Sequence, residues 1–130
     1  MKIRENVYQI RIDFSVTERI RRFVNVYLIA GRRCWLIDSG VRGSERVIFD
    51  FMESLGRRPE ELAGIFLTHS HPDHMGGAAA IKGRTGCRIF ASAAERPWIE
   101  DIDLQYRCRP IPNFYRLAGN SVKVDVNLKN

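Results

Sequence analysis

Residues 67–78 constrain this chain more than any other stretch. They read Leu-Thr-His-Ser-His-Pro-Asp-His-Met-Gly-Gly-Ala, and they hold all three histidines of the protein, His69, His71 and His74, with Asp73 among them. The pattern is H-x-H-x-D-H. Imidazole and carboxylate together suit zinc, iron or manganese. A plain structural zinc site prefers four Cys or His ligands, so the aspartate points toward chemistry rather than scaffolding.

The flanks say how such a motif is carried. The apolar run at 64–68 reads as a buried strand. The small residues at 76–81 read as a closely packed helix, so the motif spans a strand end and a helix start. In extended chain, residues two apart face the same way, which lets His69 and His71 converge on one ion. Pro72 fixes φ and favours a turn into the helix. Asp73 and His74 come next and can address a second ion, and two ions about 3.5–4 Å apart can clamp a substrate oxygen.

With those residues in view, the chain resembles the metallo-β-lactamase superfamily of metal-dependent hydrolases. A second segment agrees: Asn25-Val26-Tyr27-Leu28-Ile29, then Trp35-Leu36-Ile37-Asp38-Ser39-Gly40, resembles that family's opening hairpin. The resemblance is good over roughly residues 20–92 and loose elsewhere. It implies an α/β fold, half of an αββα sandwich, with helices on one face of a mixed β-sheet. It implies that His69 and His71 hold one metal and that Asp73 and His74 hold another. It implies also that Asp38 lies beneath the metal loop and orients a ligand. The activity it implies is metal-activated hydroxide attacking an ester, thioester, lactam or phosphoester, with Asp73 orienting the water or taking its proton.

The remaining chain sets the frame. Residues 7–14 alternate with period two and read as a half-buried strand; 15–22 read as a loop. Strands are expected next at 23–30 and 34–38, joined by a turn at Gly31. Val47, Ile48, Phe51, Met52 and Leu55 make an apolar stripe on a helix over 43–56. Ser44 is its expected N-cap and Gly56 its stop. A helical turn at 59–62 leads into the motif strand, and another strand is expected at 87–91. Residues 93–105 read as one helix, the prolines at 110 and 112 as irregular chain, and 122–128 as a final strand. Phe114 and Tyr115 are read either as apolar anchors or as the lining of a substrate pocket. The layout is a single domain over 1–130.

Composition narrows the classes further. No apolar run approaches the roughly 20 residues of a membrane span, and no signal peptide is visible, so the cytoplasm is the expected compartment. Three cysteines, Cys34, Cys87 and Cys108, are too few and too scattered for a disulfide framework. A formal charge of +6, with arginines clustered at 19–22, 32–33 and 57–58, leaves nucleic-acid processing as a third reading without an RNA-binding signature to support it.

One departure matters. The family's complete site draws on further histidines and an aspartate downstream, and here no histidine lies beyond His74. The chain is therefore expected to be a truncated or incomplete form of a longer hydrolase. A non-catalytic binding or assembly module is the alternative. A half sandwich exposes an apolar sheet face, so a homodimer covering that face is expected, with a small ester or thioester as substrate.

Overall fold

In the computed structural model, which describes residues 1–129, seven strands form one sheet in the order of the chain. They are β1 (Lys2–Arg4), β2 (Val7–Ser15), β3 (Arg21–Ala30), β4 (Cys34–Ile37), β5 (Leu62–Phe66), β6 (Arg88–Ser92) and β7 (Val126–Leu128). The first four pair antiparallel. The pairs β4–β5, β5–β6 and β6–β7 are parallel. The change falls where hairpins give way to helical crossovers, as parallel pairing requires. Six helices occupy the connections: α1 (Glu45–Ser54), α2 (Pro72–Met75), α3 (Ala78–Thr85), α4 (Arg96–Glu100), α5 (Ile102–Cys108) and α6 (Phe114–Ala118). A 3₁₀ turn, Pro59–Glu61, precedes β5. The fold is the mixed α/β sheet that the sequence leads one to expect.

Alternation along the strands divides the sheet into two faces. On one, Ile10, Ile12, Val26, Leu28, Leu36, Ile65 and Ile89 join Ile48 and Met52 of α1, Ile81 of α3 and Ile99 of α4 in a single buried cluster. The other face carries Tyr27, Ile29, Trp35, Ile37, Phe66 and Phe90, all half-buried. Phe66 stacks on Phe90 at 4.6 Å between ring centroids, and Trp35 sits 5.8 Å from Phe66.

Several local expectations need correction. Strand β3 begins at Arg21, two residues earlier than its apolar pattern, because nine register pairs with β2 carry the hairpin through to Ser15↔Arg21. Ser44 does not cap α1 with its side chain. Its backbone is already helical, and its buried Oγ finds no partner among the described residues. Gly56 does stop the helix, at φ +74. The single helix expected over 93–105 is two, broken at Asp101, whose carboxylate accepts from the Leu104 amide to cap α5. The final strand is only three residues long. Before it, the Val122 and Val124 amides donate to the Ile99 carbonyl and the Glu100 carboxylate. Helix α4 thus takes the donors that a longer ladder would have used, while Val122 and Val124 stay buried. Cys34 and Cys87 are buried free thiols and Cys108 is exposed.

Candidate metal centre

The motif loop leaves the C-terminal end of β5, and the second loop of the site leaves the neighbouring end of β4. Ladder pairing of Ile37 with Phe66 sets these two strand ends side by side. Asp38 comes directly after β4, and its amide donates to the Phe66 carbonyl. Asp38 is 5% exposed and sits at φ +65, a backbone region that few residues other than glycine, asparagine and aspartate tolerate.

The close approach of the two loops depends on glycine. A Cβ on Gly77 would strike the Ser39 carbonyl oxygen; one on Gly76 would strike the Leu117 carbonyl oxygen and lie 2.6 Å from the Arg42 amide nitrogen. With no Cβ there, the Ser39 amide and hydroxyl both donate to the His74 carbonyl at 2.8 Å. Helix α2 therefore begins within the motif, with Pro72 at its first turn, and stops so that α3 can start at Ala78. On the far side, Glu95 Oε1 accepts from the Ser70 amide at 2.8 Å and from its hydroxyl at 3.1 Å.

The three imidazoles gather. Ring centroids of His69 and His74 lie 4.0 Å apart, and those of His69 and His71 lie 4.6 Å apart. Asp38 orders two of them. Its Oδ2 lies 2.9 Å from His74 Nδ1, and its two oxygens lie 3.0 and 2.9 Å from the Thr68 hydroxyl. A carboxylate only accepts, so the Thr68 proton goes to Asp38. The Thr68 oxygen is then left to accept from His69 Nδ1, 2.8 Å away. Both rings carry their proton on Nδ1 in this arrangement and keep the Nε2 lone pair free, the tautomer a metal ligand needs. Asp73 Oδ2 lies 3.7 Å from His74 Nε2.

Electrostatics separates the two histidines. Burial, and then the neighbouring His74 and His71, hold His69 below the ordinary histidine value. Burial also works against charge on His74, but the hydrogen bond and charge of Asp38, with Asp73 behind it, outweigh burial and raise it.

Beside the motif lies a cavity of about 340 Å³ bounded by His71, Pro72 and Asp73 on one side and by Phe14 and Phe23 of the β2–β3 hairpin on another. Phe114 and Tyr115 do not line it. Phe114 is 2% exposed within the core cluster, and the Tyr115 hydroxyl bonds Asp103 at the surface. Thr68 and Glu95 are site residues that sequence reasoning passed over. A hydroxyl at the strand end just before the first histidine was the available signal for Thr68; nothing local marks Glu95.

The donors fit a metal in kind: three imidazoles and a carboxylate within six positions of chain, two of the imidazoles with pre-set tautomers. Among the described residues, however, no three His, Cys, Asp or Glu side chains already surround a common point. The centre is gathered but not closed.

A parallel-and-antiparallel sheet with a histidine loop at the meeting of β4 and β5 defines a class, and comparison with known proteins agrees. The chain belongs to the metallo-beta-lactamase superfamily, whose model matches residues 19–123. It is 38% identical over 77 residues to a hydroxyacylglutathione hydrolase of Pseudomonas entomophila, covering 58% of this chain and 27% of that protein. It is 31% identical over 72 residues to the exodeoxyribonuclease WalJ of Streptococcus pneumoniae, covering 55% and 25%. Among solved structures, a metallo-beta-lactamase from Cronobacter sakazakii superposes with a TM-score of 0.74 at 23% identity, over all of this chain and 47% of that one. The subclass B3 enzyme BJP-1 of Bradyrhizobium japonicum gives 0.66 at 30% identity over 82% and 39%. The chain thus spans about a quarter of the curated relatives and under half of the solved structures.

Proposed function

We propose that this chain is the front portion of a zinc-dependent hydrolase acting on a small ester or thioester. The observation that carries the reading is the wiring of Asp38, which orders His74 directly and His69 through Thr68 and leaves both Nε2 atoms free. A carboxylate–histidine relay of this kind is what metal-binding imidazoles use to fix their orientation and raise their basicity. His69 and His71 would hold one ion, and Asp73 and His74 a second. When bound, such ions bring the pKa of coordinated water to about 7 and supply hydroxide at neutral pH. Asp73, at the cavity wall, would orient the attacking water or accept its proton on its carboxylate. Iron or manganese would suit the same donors. Ligands beyond these four come from water or from chain that the relatives possess and these 130 residues do not include.

A thioester or ester is favoured by the likeness to hydroxyacylglutathione hydrolases and by a cavity of small-molecule size. No helix among the described residues is long and apolar enough to cross a membrane. Free buried thiols suit the reducing cytoplasm, which we take as the compartment.

The test is turnover of an acyl-glutathione thioester, p-nitrophenyl acetate and bis-p-nitrophenyl phosphate by the zinc-loaded chain and its His71→Ala variant. Thioester or ester hydrolysis that disappears in the variant supports the reading. Bound zinc with no turnover of any substrate points instead to a binding module. A second reading, action on nucleic acid, draws on the likeness to an exodeoxyribonuclease and the +6 charge. It requires oligonucleotide binding that weakens steeply with salt.

A further inference from the structure

The cavity beside His71 has a charge pattern that the metal chemistry does not use. Two arginines, Arg22 and Arg109, line it together with Phe14, Phe23, Ile111 and the buried Gln105. Among the described residues, Asp73 is the one carboxylate in the lining, so the wall carries a positive excess. Neither arginine has a carboxylate within salt-bridge distance among the described residues.

Both arginines are held in place by something other than an anion. Arg109 lies with its Cζ 4.0 Å over the Trp98 ring, a cation–π contact that fixes the guanidinium plane and leaves its N–H edge free. Gln105 Nε2 donates to the Trp98 carbonyl at 3.1 Å, so the platform under Arg109 is itself tied down. Arg22 stands opposite Phe14 in the β2–β3 register and donates to the Arg21 carbonyl at 2.9 Å. The tip of the hairpin that carries it is tied to the segment after Arg109, where Asn113 Nδ2 donates to the Val16 carbonyl at 2.6 Å. The segments that carry the two arginines are therefore linked by a hydrogen bond spanning 97 positions of sequence.

We propose that Arg22 and Arg109 form an anion-recognition site that holds the carboxylate of a small substrate with an apolar body. The apolar part packs on Phe14, Phe23 and Ile111, and the carboxylate pairs with the guanidinium forks. This deepens the hydrolase reading and rests on it for the chemistry after binding: the carboxylate would anchor an acyl substrate next to His71 and Asp73. Size favours a small molecule over a polymer, since about 340 Å³ of half-open cleft holds a few rings' worth of atoms.

The experiment is calorimetric titration of the metal-free 130-residue chain, in low salt, with 4-phenylbutyrate and with its neutral isostere 4-phenylbutyramide. The acid is expected to bind about tenfold more tightly than the amide, the worth of one charge-assisted pairing. Arg22→Gln and Arg109→Gln should each remove most of that preference. Arg46→Gln, exposed on α1 away from the cavity, should leave it unchanged. Equal binding of acid and amide, no binding of either, or a preference untouched by both cavity variants overturns the assignment. A short oligothymidylate that outcompetes 4-phenylbutyrate and needs both arginines also overturns it, in favour of a nucleic-acid groove. Because metal and turnover play no part in the titration, its failure leaves the hydrolase reading intact, and loss of that reading leaves the titration interpretable.

Discussion

Asp38 is the residue on which the site's order depends. It is buried, sits at positive φ, and accepts from the Thr68 amide, the Thr68 hydroxyl and His74 Nδ1. Asparagine tolerates the same backbone conformation, so Asp38→Asn removes the charge without forcing the loop. It is expected to weaken zinc binding about 10–100-fold, measured by competition with a chromogenic chelator. Thr68→Val should weaken it as well, by freeing His69, whereas Thr68→Ser should not, since the hydroxyl persists. The sequence made Asp38 and the four motif donors visible, because the strand-ending Asp-Ser-Gly and H-x-H-x-D-H patterns are local. Thr68 and Glu95 were not, because their roles arise from partners 30 and 25 positions away.

At the scale of elements, glycine placement decides whether the two loops meet. Gly77→Ala would drive a methyl into the Ser39 carbonyl, and it should cost about 1–3 kcal/mol of stability as an overpacked contact. Gly83→Ala in α3 meets nothing within 4 Å, and it should stabilise by about 0.5–1 kcal/mol through helix propensity. Urea unfolding of both variants checks the contrast. A second prediction concerns the segment before β7. Burial would raise the Asp125 pKa, but hydrogen bonds from Lys82 Nζ at 2.7 Å and the Ile89 amide at 2.8 Å, with the charges of Lys82 and Lys123, hold it below the ordinary aspartate value. A carboxylate depressed on folding stabilises the native state above its unfolded value, about pH 4, and that contribution fades as pH falls through the lower folded value. Asp125→Asn should therefore cost about 1 kcal/mol near pH 6, after discount for partial exposure. Its urea midpoint should converge on that of the unaltered chain as pH falls through the lower folded value. The strand expected over 122–128 had the right alternation. What periodicity could not reveal is that Glu100 and Ile99 compete for its amides.

At the scale of the whole molecule, strand order and the helix-bearing face derive from alternation and crossover length, which is why the α/β layout was legible from the residues. The second sheet face was legible only in part. Its apolar character is in the sequence, but stacking of Phe66 on Phe90 depends on the parallel register of β5 with β6. If copies of this chain pair through that face, sedimentation should find a dimer. Phe66→Lys should then shift the mass to a monomer, while a monomer in the unaltered chain at high concentration would rule the pairing out. The hydrolase reading turns on the motif's being a working metal centre. Elemental analysis of the chain purified without added metal, beside its His69→Ala/His71→Ala variant, tests that most directly. A working centre gives about one or two zinc, iron or manganese ions per chain and loses them in the variant. A variant that retains the full complement, which would put the ions elsewhere than the motif, would contradict it.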